Sequence, residues 1–357
     1  MRVVSWMVHR SGEAMVRTER EEVASAGEVL VRVAGCGVCH TDLGFFYDGV
    51  PTKHGFPLCL GHEVSGRIVQ AGAGAESWMG RDVVVPAVIP CGSCEACLAG
   101  RGSVCPAQIF PGSDVHGGFG SHVKVPARGL CPVPDLKDAR RNPSGVDLAS
   151  LAVVADAVST PYQAIARSGL TASDLAVFVG VGGVGGFGVQ IAASLGAHVV
   201  AVDVDPARLD AISRYGADVT LRADAQDAKA LKAAVREMAK SWGIPSWRQK
   251  VFETSGTPAG QATAFSLLGH GGYLGVVGFT SEKVELKLSN LMAFDATAQG
   301  NWGCLPDLYP KALELVLSGK VRLSPFIEKR PLESINETFE ALHARKLATR
   351  PVLVPEV

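Results

Sequence analysis

Four cysteines, Cys91, Cys94, Cys97 and Cys105, fall within one short stretch, PCGSCEACLAGRGSVC. The spacing C-x2-C-x2-C-x7-C suits four thiolates around one tetrahedral zinc, a closed site with no position left for substrate. An iron–sulfur cluster could use similar spacing, and four unligated thiols are the bland alternative. Two further segments, Gly37-Val38-Cys39-His40-Thr41-Asp42 and Gly61-His62-Glu63, offer a thiolate and an imidazole from separate places. A catalytic zinc takes three protein ligands and keeps a fourth position open. Cys39 and His62 supply two, and Asp156 in VVADAVSTPY is a candidate third. Asp42 could orient the His62 imidazole. Taken singly, such a cysteine is more often a small buried hydrophobe and such a histidine a satisfied core residue, so Cys39 and His62 gain their meaning only together.

A second kind of chemistry is written at Gly180-Val181-Gly182-Gly183-Val184-Gly185. The pattern G-x-G-x-x-G follows the apolar run LAVFV and precedes a helical segment. There the first glycine makes the turn, the second admits a pyrophosphate, and the third lets helix and strand pack. The helix N-terminus adds free N–H groups and a positive dipole end. Asp203 closes the next apolar run, HVVAVDV, where an acid grips the ribose hydroxyls of NAD and repels the extra phosphate of NADP. Arg208 pulls toward NADP but does not cancel that carboxylate. The expected cofactor is NAD.

These groups need a scaffold, and the chain spells one out. Up to about residue 155, short β-branched runs broken by glycine and proline (EVLVRVAGCGVC, DVVVPAVIPCG) predict a β-rich domain. DLASLAVVADAVSTPYQAIARSG then has helical spacing and stops on Gly169. Buried strands and amphipathic helices alternate to about residue 295, which predicts a parallel, doubly wound sheet. The fold class is α/β, divided at residues 1–157, 158–295 and 296–357.

The bulk numbers agree with an enzyme of two domains. At 357 residues the chain exceeds what one core serves, and 47% of it is hydrophobic. Lys+Arg at 34 nearly balance Asp+Glu at 35, leaving no overall field to hold nucleic acid or an anionic membrane. Neither a secretory leader nor a membrane-length apolar run is visible. Nine cysteines in such a chain point to metal ligation in a reducing cytoplasm rather than to disulfides.

The motifs Cys-His-Thr-Asp, Gly-His-Glu, the four-cysteine lobe and GVGGVG stand in the order and spacing of the zinc-containing medium-chain alcohol dehydrogenases, which the whole chain resembles. The resemblance implies a GroES-like catalytic domain, a Rossmann domain for NAD, and a C-terminal stretch that returns to the catalytic domain. It implies one structural and one catalytic zinc, the latter on Cys39, His62 and Asp156, with Glu63 as an exchange ligand. It makes Thr41 the first group of a proton relay and gives His40 and Arg350 to the pyrophosphate. Val277, Gly278, Asn301 and Trp302 would line the nicotinamide.

Two departures stand out. Many members have cysteine where Asp156 stands, and Gly44 replaces the histidine that continues the relay. Stretches such as GFFYDGVPTKHGFPLCLGHE resemble the branch that oxidises 6-hydroxycyclohex-1-ene-1-carbonyl-CoA. That implies a cyclic allylic alcohol carried as a CoA thioester, with Lys53 and His54 as candidate phosphate contacts. A general alcohol or polyol substrate is the alternative, and the family implies a homodimer or homotetramer.

Overall fold

The computed structural model describes residues 1–356. The chain forms two compact units. The first is Met1–Ser159 with Gly303–Gly319 and the residues from Leu323 on, and the second is Thr160–Trp302 with Lys320–Arg322.

The first unit is built on mostly antiparallel sheet. Its central strand, Glu28–Gly37, pairs with Glu63–Ala71 on one side and with Arg350–Val354 and His122–Pro126 on the other. Register shifts at Leu30/Val31 and Val33/Gly35 mark irregularities in the first pairing; such bulges bend a strand and re-aim its end. Val29, Val31, Val64, Ile68 and Phe119 fill the core beneath. Register then brings three chain segments together. Gly37 lies opposite Glu63 on one neighbour and Val352 on the other. The chain after Gly37, the start of the strand at Glu63 and the start of the strand at Arg350 therefore share one end of this sheet.

The second unit is a six-stranded parallel sheet. In chain order its strands are Leu175–Val179, His198–Asp203, Val219–Arg222, Gln249–Glu253, Tyr273–Val276 and Thr297–Gly300. Their spatial order is 3-2-1-4-5-6, the doubly wound dinucleotide-binding arrangement. Leu175–Val179 is buried at every position, as a strand covered on both faces must be. Helix Ala228–Ser241 shows how the covering works: Leu231, Val235 and Ala239 recur every four residues and are its buried stripe. Asp227 caps that helix by accepting from the Ala230 N–H at 2.7 Å.

Two sequence expectations need correction. The sheet gains its sixth strand at Thr297–Gly300, so the chain leaves this unit at 303 rather than at 296. The helical spacing across 147–169 does not give one helix. A 3-10 turn, Ser150–Ala155, ends at Asp156 (φ −142°, ψ −58°), and an α-helix starts again at Ser159–Ser168. Among the described residues no helix is long and apolar enough to cross a membrane.

Candidate metal centre and cofactor cradle

Cys39 is the N-cap of helix His40–Phe46. Its sulfur accepts from the Thr41 N–H at 3.3 Å, and its own N–H donates to Asp42 Oδ2 at 3.0 Å, a reciprocal cap that fixes the thiol. Asp42 Oδ1 accepts from the Gly61 N–H at 3.2 Å, tying the His62 segment to the same helix. Gly61 has φ +96°, and a Cβ there would meet Cys36 Sγ at 2.8 Å. Both facts require glycine before His62.

The donors converge. His62 Nε2 is 3.2 Å from Cys39 Sγ and 3.7 Å from Asp156 Oδ2. Glu63 completes a set whose ligand atoms all lie within 4.8 Å of one another. A tetrahedral zinc with Zn–S about 2.3 Å and Zn–N or Zn–O about 2.0–2.1 Å needs its ligands ~3.4–3.6 Å apart. The two separations at His62 Nε2, 3.2 Å and 3.7 Å, bracket that range, and all the donor atoms lie within 4.8 Å of one another. Asp42 Oδ1 stands 3.4 Å from His62 Nδ1, although that nitrogen has no aligned hydrogen bond.

The electrostatics ask for a cation. Burial alone would lower the His62 pKa, but the Cys39, Asp42 and Asp156 charges outweigh it and hold the imidazole well above its usual value. Burial pushes Glu63 up to about 7 against the pull of Arg350. Arg350 Nη1 donates to Glu63 Oε1 at 2.6 Å, while Glu63 Oε2 has no partner. A Cβ at Gly37 would come within 2.0 Å of that oxygen, so glycine there makes the room. Of the remaining candidates, Thr41 is half-buried in the first helical turn and His40 is exposed beside it.

The cysteine lobe forms a second donor set. Cys94 Sγ lies 3.5 Å from Cys97 and 3.7 Å from Cys105, and Cys91 Sγ lies 3.9 Å from Cys97. Four sulfurs about 2.3 Å from one zinc would be ~3.8 Å apart, whereas a disulfide needs about 2.05 Å. Main-chain N–H groups of Cys94 and Cys91 point at Cys91 Sγ and Cys105 Sγ, both at 3.3 Å. N–H bonds from the Ser93 and Cys94 main chain hold Cys91 down to about 6, and burial pushes Cys97 up to about 12.

In the parallel sheet, Gly180 has φ +89°, and a Cβ there would strike Ser255 Cα at 2.5 Å. A Cβ at Gly185 would lie 1.9 Å from Gly180 O, so the loop and helix Gly185–Ser194 close tightly on each other. Gly182 has only the Arg208 guanidinium nearby, at 3.3 Å from its built Cβ, which leaves the main chain open to a phosphate. Gly183 is exposed and Val184 half-buried at the same turn. Asp203 Oδ2 accepts from the Val181 N–H at 2.7 Å, and Oδ1 accepts from Val204 and Asp205. That carboxylate braces the glycine loop, and a carboxylate's four acceptor sites leave capacity for ribose hydroxyls.

Sequence reasoning passed over Glu253. Its Oε1 accepts from the Ser255 N–H, the Ser255 hydroxyl and the Gly256 N–H, and its carbonyl accepts from Val277 and Gly278. It thereby joins the loop after its own strand to the Val277–Gly278 wall. An acid ending the apolar run KVFE was the signal. Asn301 is held by its N–H to Val276 O, with Oδ1 unpartnered, and Trp302 is half-exposed beside it. The candidate phosphate contacts fare less well. Lys53 lies 3.8 Å from Asp114, which offsets its charge, and His54 hydrogen-bonds Gly55 O.

Known proteins bear on both centres. The family described as alcohol dehydrogenase GroES-like domain matches residues 25–135, and that described as zinc-binding dehydrogenase matches residues 183–318. An alcohol dehydrogenase of Geobacillus stearothermophilus is 32% identical over 331 residues, covering 92% of this chain and 91% of its own. A sorbitol dehydrogenase of Bacillus subtilis is 27% identical over 344 residues, covering 94% and 92%. Among solved structures, the alcohol dehydrogenase of Aeropyrum pernix is similar with a TM-score of 0.85 at 27% identity, covering 99% of this chain and 100% of that one.

Proposed function

We propose, for a chain that belongs to the zinc-containing medium-chain alcohol dehydrogenases, that its reaction is the oxidation of a secondary alcohol to a ketone. The observation that carries this reading is the convergence of Cys39, His62, Glu63 and Asp156 donor atoms within 4.8 Å of one another, with His62 Nε2 3.2 Å from Cys39 Sγ and 3.7 Å from Asp156 Oδ2. When bound, zinc supplies Lewis acidity at the alcohol oxygen and NAD supplies the hydride acceptor.

The chain's own residues do the rest. Cys39, His62 and Asp156 hold the catalytic metal, and Cys91, Cys94, Cys97 and Cys105 hold the structural one. An aspartate in place of a second thiolate makes the donor set harder and favours a stronger Lewis acid. Thr41, two residues past the ligand cysteine, takes the hydroxyl proton. With Gly44 in the next relay position, the proton continues through His54 or a water chain. The Gly180–Gly185 loop with Arg208 receives the pyrophosphate, His40 adds a contact, and Asp203 orients the ribose. Val277, Asn301 and Trp302 bound the nicotinamide. Arg350 is the second pyrophosphate contact of this reading, and one of its nitrogens, Nη1, is already engaged by Glu63.

For the substrate, the proposal we carry is 6-hydroxycyclohex-1-ene-1-carbonyl-CoA oxidised to the 6-oxo thioester, as in anaerobic aromatic degradation. Its support is the sequence likeness of several loops. A free alcohol or polyol is the second reading, favoured by the sorbitol dehydrogenase relative and by the offset charge of Lys53. We place the chain in the cytoplasm because its clustered cysteines are spaced as metal donors rather than paired as disulfides. We propose a homo-oligomer on the exposed edge strand Thr297–Gly300, with Leu288 and Met292 exposed just before it.

The test is NAD reduction with cyclohexanol, sorbitol and the hydroxycyclohexenoyl-CoA thioester, before and after chelation. Two zinc per chain and chelator-sensitive turnover are expected. Higher kcat/KM for a free alcohol than for the thioester overturns the substrate proposal. Metal-independent turnover overturns the mechanism.

A further inference from the structure

We infer that Tyr309 is a positioning residue for the third metal ligand: its hydroxyl pins the Ala155–Asp156 peptide and thereby sets where the Asp156 carboxylate stands. The inference rests on the metal centre proposed above and extends it to a residue more than 150 positions away.

It begins from the broken helix. Residues 147–169 have the apolar spacing of one continuous helix, yet the chain interrupts it at Asp156. In an unbroken α-helix the Ala155 carbonyl would accept from the N–H of residue 159. Here the Ala155 oxygen accepts from other donors instead. The Tyr309 hydroxyl lies at 2.5 Å, the Ser159 hydroxyl at 3.1 Å, and the Ala87 N–H at 3.4 Å. The Ala87 N–H also donates to the Tyr309 oxygen at 3.2 Å, which closes a small buried ring of hydrogen bonds.

The consequence for Asp156 follows from peptide geometry. The Ala155 carbonyl and the Asp156 N–H belong to one planar unit. Holding the carbonyl fixes the plane from which the Asp156 Cα departs, at φ −142° and ψ −58° rather than at helical values. From there the carboxylate reaches 3.7 Å from His62 Nε2. Were the helix to run through, the Asp156 side chain would follow the helical repeat instead.

Tyr309 is well suited to the task. It opens helix Tyr309–Leu317, is fully buried, and has its hydroxyl engaged on both sides. A phenol with two torsions is a stiff strut that needs a polar partner when buried. Its choice of the carbonyl immediately before a metal ligand separates this role from ordinary core packing. Partners that orient metal ligands typically carry about 10–100-fold in metal affinity.

The experiment uses the full-length, zinc-loaded chain and follows zinc transfer to a chromogenic chelator. A Cys39→Ser variant, lacking one ligand, identifies which phase of release belongs to the catalytic site. Tyr309→Phe keeps the ring and removes only the hydroxyl. It is expected to speed catalytic-site release about tenfold or more and lower kcat, while the four-cysteine phase and KM for NAD stay put. Unchanged catalytic-site release in a folded Tyr309→Phe protein overturns the inference. Should that variant not fold, Ser159→Ala removes another donor to the same carbonyl. It is expected to shift release in the same direction, and no shift overturns the inference. A wild-type chain holding a single zinc would instead bring down the metal centre itself, an outcome distinct from either.

Discussion

Arg350 Nη1 and Glu63 Oε1 lie 2.6 Å apart, with neither side chain open to solvent. They come from segments 287 residues apart in sequence, joined because both border the strand that ends at Gly37. The pair sits beside the metal donors and leaves Glu63 Oε2 without a partner. Glu63 is thus a carboxylate held in reserve, with the charge of Arg350 allowing it to remain buried.

Removing one member should cost more than the pair is worth. Arg350→Met leaves a buried carboxyl that already stands at about 7 and is pushed higher without the arginine, so it takes up a proton and the loss is moderated. Glu63→Gln leaves a buried guanidinium that cannot lose its proton, and breaking a buried pair costs about 3–5 kcal/mol, so it should be the more harmful. Denaturant unfolding of both variants checks this. Equal or smaller loss for Glu63→Gln would mean that water reaches Arg350.

The catalytic site should exchange a proton for its metal. Without a cation, the Cys39, Asp42 and Asp156 charges keep His62 protonated above the pH range usual for histidine. Zinc takes the neutral imidazole, so the proton must leave on binding. Because the His62 pKa is raised, affinity falls as pH drops below that value and rises as pH climbs toward it. Weakly buffered titration of chelator-stripped protein at pH 7 should record proton release with the second zinc. Binding with no release and no pH dependence would contradict the electrostatics.

How far the sequence discloses the site depends on how local each part is. The cysteine lobe and the glycine loop are legible because their function lies in short spacing. Cys39 and His62 are suggestive but not self-sufficient, since their meeting depends on register between two strands. Asp156 is a ligand candidate only through its place in the chain and the family resemblance. The Glu63–Arg350 pair and the Tyr309 contact are invisible to spacing, because distant segments create them. The helical pattern over 147–169 misleads for the same reason: tertiary hydrogen bonds to Ala155 from Tyr309 and Ala87 win over local periodicity.

The four-cysteine lobe should be separable from catalysis. Cys97→Ala removes one thiolate from a closed site, and a structural zinc contributes directly to folding. Metal content should fall from two zinc to one, with a lower thermal midpoint and residual turnover in the surviving folded fraction. Retention of both zinc ions would refute the donor set.

Glu253 should act on cofactor binding rather than on metal. Its Oε1 gathers three donors from Ser255 and Gly256, and its carbonyl holds Val277 and Gly278. Glu253→Ala leaves the half-buried Ser255 and Gly256 donors without their carboxylate, while the main-chain bonds to Val277 and Gly278 persist. An unmet donor costs about 1–3 kcal/mol when buried, so NADH affinity should fall at least tenfold while zinc content stays at two. Glu253→Gln keeps one acceptor oxygen and should recover much of the loss. If alanine and glutamine behave alike, the carboxylate is not organising the loop.

Asp203 gives the sharpest test, because its two duties predict different outcomes. If it only repels the phosphate of NADP, then Asp203→Ala weakens NAD and strengthens NADP. Yet Oδ2 accepts from the buried Val181 N–H at 2.7 Å, and Oδ1 accepts from the two residues that follow. The same carboxylate therefore holds the glycine loop in place, and an unmet buried N–H costs about 1–3 kcal/mol. Alanine should weaken both cofactors, with KM for NAD rising about tenfold or more. Asparagine, which retains one acceptor oxygen and loses the charge, should preserve the loop better and show the larger gain in NADP relative to NAD. Steady-state KM and kcat for both cofactors in the two variants decide the matter. Strong NADP use by Asp203→Ala would show that charge alone matters at this position and that the loop stands without its brace.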